Sequence, residues 1–231
     1  RMVDPALTAG MSEYVVYWTL HHHRKFGQYA RQAAEKSWRP LPQKGPRQCR
    51  VGIMGLGVMG ADSARKLRAL DFDVAGWSRS LKSLPGVPGF QGGEGFRDFL
   101  ARTDILVCLL PLTPDTRAIL NAETFRRLPK GAVVINASRG GHLVDDDLLK
   151  ALESGQLSAA VLDVSTGETL ATLREPRCWL AGAAKVGSPN PAKRSLPDPL
   201  LAYTRSALRL EIEGSVVRAY RLASQAVSRR L

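Results

Sequence analysis

The apolar positions after residue 46 alternate between two patterns. Short runs rich in Val, Ile, Leu and Ala are separated by stretches in which apolar side chains recur every three or four residues. The first pattern is typical of buried parallel strands and the second of helices. Strands are predicted at 50–54, 72–77, 105–110, 132–136 and 159–164, and helices at 58–70, 95–102, 122–128 and 145–154. This order predicts an α/β fold built on a doubly wound parallel sheet.

The chain before residue 47 predicts two helices and a linker. The helix at 6–26 is indicated by a stripe at helical spacing, namely Met11, Val15, Trp18 and His22. Thr8 and Ser12 are its candidate N-caps. A shorter helix follows to residue 36, and three prolines between residues 38 and 46 break regular structure. A last helix is predicted at 200–227.

Composition limits the class of protein. The 231 residues are 44% hydrophobic and 23% charged, which suits a folded core and excludes a disordered or collagen-like chain. The three cysteines lack paired spacing, so neither a disulfide framework nor a zinc site is predicted, and a reducing, cytoplasmic location is expected. No apolar run approaches the roughly 20 residues that cross a bilayer, and the first residues lack a signal-peptide core. We therefore expect no membrane partner.

The formal net charge of +12 raises the question of a nucleic-acid partner. The excess lies within the first fifty residues and after residue 205, and neither end shows aromatic interleaving or a helix-turn-helix pattern. A solvated charged face is the preferred interpretation. The consecutive His21, His22 and His23 point about 100° apart around a helix, so no metal site is predicted there.

A dinucleotide-binding signal follows the first predicted strand. The segment Val51-Gly-Ile-Met-Gly55-Leu-Gly57-Val-Met-Gly60 leads from that strand through G-x-G-x-x-G into a helix. Gly55 would permit the tight turn, Gly57 the approach of a pyrophosphate, and Gly60 close packing of helix on strand. The alternative is an ordinary glycine-rich turn. The motif predicts a Rossmann domain, which we place at 47–190, with N-terminal helices and linker at 1–46 and a C-terminal helical segment at 191–231.

The end of the second strand indicates which dinucleotide is used. An NAD site has Asp or Glu about 20 residues beyond the first glycine, where it accepts hydrogen bonds from the ribose. Here the stretch is Trp77-Ser-Arg-Ser-Leu-Lys82, without a carboxylate. Arg79, with the hydroxyls of Ser78 and Ser80, could bind a 2′-phosphate instead. NADP(H) is therefore preferred over NAD(H), and the alternative is that Arg79 is a surface arginine.

These motifs and four later ones carry a family resemblance. In order, the later motifs are Leu109-Leu-Pro-Leu-Thr-Pro-Asp-Thr116, Ile135-Asn-Ala-Ser-Arg-Gly-Gly-His142, Asp145-Asp-Asp-Leu-Leu149 and Ala160-Val-Leu-Asp-Val164. The chain over residues 3–168 resembles the NAD(P)-binding region of the D-isomer-specific 2-hydroxyacid dehydrogenases, and most closely their glyoxylate/hydroxypyruvate reductase A group. In that family a substrate domain closes over the cofactor domain, and most of that substrate domain is expected to lie outside this sequence.

The resemblance implies roles for individual residues. Arg139 would hold the carboxylate of a 2-oxo acid, Glu168 would partner the family's acid histidine, and Asp163 would meet the nicotinamide carboxamide. The remaining cofactor contacts would come from Val58, Met59, Leu110, Pro111, Leu112, Thr116, Asn136, Ala137 and Ser138. The acid position itself aligns with Asn190, whose amide is not an acid, and residues 169–202 depart from the family pattern.

Two functions of different classes follow. The first is an NADPH-dependent reductase of small 2-oxo acids, of the glyoxylate or hydroxypyruvate type. The second is a truncated or degenerate NADP-binding module with little or no turnover, suggested by Asn190. The long first helix resembles the family's dimer helix, and its stripe of Val15 and Trp18 must be buried. A homodimer is expected, and the alternative is packing within the same subunit.

Overall fold

The fold is a parallel sheet with helices on both faces. The computed structural model describes residues 4–163 and the strand formed by residues 178–180. The strands are β1 (Arg50–Met54), β2 (Asp73–Trp77), β3 (Gly89–Phe90), β4 (Ile105–Cys108), β5 (Ala132–Asn136), β6 (Leu157–Leu162) and β7 (Cys178–Leu180). The helices are α1 (Pro5–His23), α2 (Phe26–Ala34), α3 (Val58–Ala69), α4 (Gly92–Ala101), α5 (Ala122–Arg127) and α6 (Asp145–Glu153).

The seven strands of the described residues run parallel in the order β3-β2-β1-β4-β5-β6-β7. The strand order changes direction between β1 and β4, and such a switch point opens a crevice at the carboxyl ends of the strands. The predicted doubly wound α/β fold is confirmed. The sheet has two strands more than the sequence predicts, because β3 and β7 are only two and three residues long.

Alternating side chains of the strands build a core on each face of the sheet. Val51 and Ile53 of β1 pack with α1 and α3 on one face, whereas Leu106 and Cys108 of β4 pack with α4, α5 and α6 on the other. Strands buried on both faces read as continuous apolar runs, which explains why the five longer strands were predictable.

Helix α1 packs within its own chain. Val15 and Trp18 are buried in the core cluster that contains Leu67 of α3. Ser12 donates a hydrogen bond of 2.7 Å from Oγ to Oδ2 of Asp62, near the start of α3. The Val15–Trp18 stripe therefore gives no support to the predicted homodimer, because its burial is already satisfied by packing within the same subunit.

Several predicted boundaries were wrong. The N-cap of α1 is Asp4, which accepts a hydrogen bond from the Ala6 amide, whereas Thr8 and Ser12 lie inside the helix. Helix α4 begins at Gly92 instead of residue 95, and β4 and β6 each end two residues earlier than predicted. The predicted helix at 200–227 lies outside the described residues, and the domain limits at 47–190 and 191–231 stay predictions.

Candidate functional site

The loop between β1 and α3 combines two sterically required glycines with one open position. Gly55 has φ +98°, and a Cβ there would lie 2.9 Å from the Leu109 carbonyl oxygen. A Cβ on Gly60 would lie 1.9 Å from the carbonyl oxygen of Gly55. A Cβ on Gly57, by contrast, would meet nothing within 4 Å. The loop therefore leaves open space at Gly57 alone, where the sequence predicts a pyrophosphate.

The first turn of α3 faces that space without a side-chain cap. Gly57 is the N-cap residue, no side chain of the described residues caps it, and the first turn carries no acidic residue. Val58 is 51% exposed and Met59 is half-buried. The uncapped amides and the positive end of the helix dipole favour an anion at this position.

The turn after β2 presents Arg79. Ser78 is buried, its amide donates to the Phe90 carbonyl at 3.2 Å, and its Oγ donates to the Ser80 carbonyl at 2.7 Å. Arg79 and Ser80 are exposed. Ser78 therefore stabilises the turn in this geometry, and the guanidinium of Arg79 and the Ser80 hydroxyl remain at the surface beside the β1–α3 loop.

Hydrogen bonds organise the loop that carries Arg139, which leaves the carboxyl end of β5. Asn136, fully buried, accepts from the Ser138 amide at 3.3 Å and donates from Nδ2 to the Arg139 carbonyl at 3.1 Å. Ser138 donates from Oγ to the Leu110 carbonyl, and Ala137 is buried beside it. The exposed Arg139 side chain donates from Nη1 to the Ser138 carbonyl at 2.7 Å. The backbone beneath the guanidinium is thus fixed, and the head reaches solvent.

The neighbouring loop after β4 holds a second group of predicted contact residues. Thr116 donates from Oγ1 to the Pro111 carbonyl at 2.7 Å and accepts from the Thr113 amide at 2.8 Å. Leu110 is buried, while Pro111 and Leu112 are exposed. This loop therefore presents an apolar rim toward the same edge of the sheet.

His142 ties these two loops together, a role that sequence reasoning missed. It is fully buried, with Nδ1 3.1 Å from the Arg139 carbonyl oxygen and Nε2 3.3 Å from the Pro111 carbonyl oxygen. The sequence placed it after the arginine motif and gave it no role. Its only sequence signal was its position three residues beyond Arg139, within reach of the arginine's own carbonyl.

Asp163 follows β6 at the same edge. Its amide donates to the Asn136 carbonyl at 3.0 Å, which continues the sheet toward the Arg139 loop. Tyr14 of α1 is close enough for the Asp163 charge to act on it: burial raises the pKa of the Tyr14 phenol well above its usual range, and Asp163 adds to the effect. Helix α1 thereby forms a wall near the site, which the sequence did not indicate.

The carboxyl ends of β1, β2, β4, β5 and β6 thus carry the described members of the predicted site. Glu168 and Asn190 lie outside the described residues. Within residues 4–163 and 178–180 no group of three or more His, Cys, Asp or Glu is arranged to hold a metal ion. None of the helices described here is both long and apolar enough to span a bilayer.

A dinucleotide can bind here only if its pyrophosphate has room at Gly57. A side chain there would fill the space in front of the first turn of α3, and the sequence supplies the one residue that leaves it empty. With Arg79 on one side and the Arg139 loop on the other, the donors are those that a phosphate-bearing dinucleotide requires. The residues present fit the cofactor.

Comparison with known proteins identifies the family. The model of the D-isomer specific 2-hydroxyacid dehydrogenase family, NAD binding domain, matches residues 16–186. The chain belongs to this family, which confirms the resemblance seen in the sequence. The fold is thus that of the NAD-binding domain of the D-isomer specific 2-hydroxyacid dehydrogenase family.

Within the family, the chain is similar to glyoxylate/hydroxypyruvate reductases. Glyoxylate/hydroxypyruvate reductase A of Serratia proteamaculans is 44% identical over 170 residues, 74% of this chain and 54% of that protein. The chain therefore spans about half the length of the curated relatives it matches. A crystal structure of NADPH-dependent glyoxylate/hydroxypyruvate reductase from Sinorhizobium meliloti, in complex with NADP and sulfate, superposes with TM-score 0.74 at 44% identity, covering 78% of this chain and 60% of that one.

A second solved structure covers more of this chain. The D-isomer specific 2-hydroxyacid dehydrogenase of Xanthobacter autotrophicus Py2, in complex with NADPH and MES, superposes with TM-score 0.76 at 34% identity. It covers 90% of this chain and 67% of the other. Both structures contain an NADP nucleotide, in agreement with an NAD(P)-binding site here.

Proposed function

We propose that this chain is the cofactor-binding part of an NADPH-dependent reductase of small 2-oxo acids, of the glyoxylate or hydroxypyruvate type. The observation that carries the proposal is that the open position at Gly57 and the anchored loop of Arg139 lie at one edge of the sheet. The first would hold the dinucleotide and the second the acid, so the two reactants would meet at this edge. The reductase relatives from Serratia and Sinorhizobium support it.

NADP(H) is the proposed cofactor in preference to NAD(H). The exposed guanidinium of Arg79 and the hydroxyl of Ser80 supply donors to a 2′-phosphate, and residues 78–82 hold no carboxylate that would repel it. The amides of Gly57, Val58 and Met59 would hold the pyrophosphate. The rims of the channel are formed by the loops after β4 and β5, which His142 holds together.

Arg139 is the proposed substrate-binding and catalytic residue. A guanidinium donates through a planar fork, so it can hold the carboxylate of a 2-oxo acid and polarise the adjacent carbonyl. Bound NADPH supplies the hydride, and the alkoxide that forms needs a proton. Glu168 is proposed to occupy the position of the glutamate that partners the family's acid histidine, where a negative charge favours a protonated imidazole. Asp163 is proposed to contact the nicotinamide carboxamide.

This chain differs from the family pattern at the residue that donates the proton. Asn190 stands at the acid position, and an amide is not an acid in the neutral range. Loss of a general acid lowers rates by about 10²–10⁴. We therefore expect slow turnover from the natural sequence and a rise of up to that size in Asn190→His, measured as NADPH consumption with glyoxylate.

A homodimer and a cytoplasmic location remain part of the proposal. Four exposed apolar side chains lie along α1, α2 and the linker: Leu7, Tyr17, Phe26 and Trp38, the last 80% exposed. Trp38 stacks on Tyr29 with ring centroids 6.1 Å apart. These side chains, rather than the buried Val15 and Trp18, are the surface that would pair. Light scattering of Trp38→Ser and the natural chain tests this: a dimer weakened by the substitution is expected, and a monomeric natural chain contradicts it.

The decisive experiment follows NADPH absorbance with glyoxylate. Turnover that falls at least tenfold in Arg139→Ala, and not in the exposed-arginine control Arg97→Ala, supports the reductase. Partial retention by Arg139→Lys would show that the fork geometry matters beyond its charge. Tight NADPH binding without consumption in every variant would contradict the reductase and support a nucleotide-binding module.

A further inference from the structure

A cavity of about 510 Å³ opens at the opposite edge of the sheet from the nucleotide loop. Its floor is made by the amino ends of β4, β5 and β6, at Ile105, Ala132 and Ala159. The end of α1, the first turn of α2 and the linker before β1 form its walls. No step proposed for the reductase uses this space.

Four cationic side chains line the cavity: Lys25, Arg31, Lys44 and Lys130. None of them forms an ion pair with a carboxylate in the part of the chain that the structure describes. The carboxylate in the lining is Asp104, and Arg50 already neutralises it through two contacts of 2.7 and 3.0 Å. The cavity therefore carries an uncompensated positive charge.

The histidines of the first helix add hydrogen-bond donors. His21, His22 and His23 all line the cavity, and Nε2 of His22 is buried with no hydrogen-bond partner among the described residues. Burial, the larger effect, lowers the pKa of His22 to about 3, with a contribution from His21. Neutral imidazoles are thus kept in a cationic environment, which is unfavourable for a metal cation and favourable for an anion.

Charged groups next to the other two histidines also favour an anion in the cavity. Burial lowers the pKa of His21, and the charge of Arg31 lowers it further. Burial also lowers the pKa of His23, with smaller effects from Arg24 and Lys44. The first turn of α2, through Gly27 and Gln28, directs the positive end of that helix to the cavity. The carbonyl of His22 at the end of α1 is satisfied by the Lys25 amide at 3.2 Å.

We propose that this cavity binds a small polyanion that carries phosphate or carboxylate groups. The volume is that of a small-molecule site. Its donors come from four parts of the chain: the end of α1, α2, the linker with Lys44 and the loop before β5 with Lys130. Binding would neutralise the four cations. The cavity would then act as a second ligand site on the side of the sheet away from the nucleotide.

Calorimetry with pyrophosphate and, separately, citrate tests the proposal on the natural chain. Binding is expected to weaken about tenfold or more in the double variant Lys44→Gln/Lys130→Gln and to fall as salt rises. The matched control Lys82→Gln/Lys150→Gln removes the same charge from exposed positions elsewhere and is expected to bind normally. Tighter binding of pyrophosphate assigns phosphate chemistry to the site, and tighter binding of citrate assigns carboxylate chemistry. Either result supports the proposed anion site.

A further variant separates this site from the nucleotide loop. If Gly57→Ala weakens pyrophosphate binding while Lys44→Gln/Lys130→Gln does not, the ion binds at the nucleotide loop and the proposal is overturned. Absence of heat from folded natural protein overturns it as well. In NMR spectra, the ring signals of His21 and His23 are expected to shift with pyrophosphate and to stay fixed in the lysine double variant; unmoved signals in the natural chain would contradict the location.

Discussion

Replacing Gly57 with alanine separates nucleotide binding from the stability of the loop. The backbone at Gly57 has φ −72° and ψ −167°, which alanine adopts, and the new methyl group meets nothing within 4 Å. Alanine is a poorer N-cap than glycine, so the free energy of unfolding should fall by about 1 kcal/mol at most. The methyl group would instead occupy the space where the pyrophosphate approaches the amides.

The expected loss of affinity follows from the hydrogen bonds that the methyl group displaces. A hydrogen bond to a charged group contributes about 1.5–3 kcal/mol, so losing one phosphate–amide contact weakens NADPH about 10- to 150-fold. Calorimetry measures the dissociation constant, and urea unfolding checks that the variant is folded. Gly45→Ala is the control, because its Cβ would lie 3.8 Å from Oε1 of Gln48 at the other edge of the sheet. Equal NADPH affinity in Gly57→Ala and the natural chain would refute the reasoning.

Three further predictions concern the cofactor, the loop and the pH dependence of stability. Arg79→Gln should reduce the preference for NADPH over NADH about tenfold or more, and fluorescence titration that finds the preference unchanged would count against Arg79. Asn136→Ala should lower the free energy of unfolding by about 1–3 kcal/mol, because the buried Ser138 amide loses its acceptor and the Arg139 carbonyl loses one of its donors; urea titration measures it, and an unchanged midpoint would contradict it. Folding lowers the pKa of His22, so the unfolded state binds a proton at this imidazole more readily than the folded state. The free energy of unfolding should therefore be unaffected by His22 above pH 6.5 and should fall as the pH drops toward 3, by about 2 kcal/mol at pH 5. Urea unfolding should show this loss in the natural chain and much less in His22→Gln; the same loss in both would exclude His22 as its source.

The sequence was sufficient where a single local rule determines the structure. Strands β1 and β5 were predicted to the residue, because each is mostly an apolar run buried on both faces, with a polar residue at one end: Arg50 in β1 and Asn136 in β5. The glycine at position 60 could be assigned close packing from its place in the motif, and the structure shows the reason in a Cβ that would lie 1.9 Å from the Gly55 carbonyl oxygen. The class of fold followed from the order of these elements.

The sequence was insufficient where two distant segments meet. The stripe of Val15 and Trp18 showed that a surface must cover α1, but no periodicity tells whether that surface is α3 of the same chain or a second copy. The ring nitrogens of His142 lie within hydrogen-bond distance of carbonyl oxygens in two loops, and one of these, at Pro111, is thirty-one residues away along the chain. The amino-edge cavity likewise joins Lys44 to Lys130, a pairing set by the order of strands in the sheet.

Calorimetric titration of folded, purified chain with NADPH and with NADH tests the central claim most directly. The account predicts one nucleotide bound per chain, with NADPH bound more tightly than NADH and its affinity reduced in Gly57→Ala. No measurable heat from either nucleotide, with folded protein shown in the same sample by circular dichroism, would contradict the account.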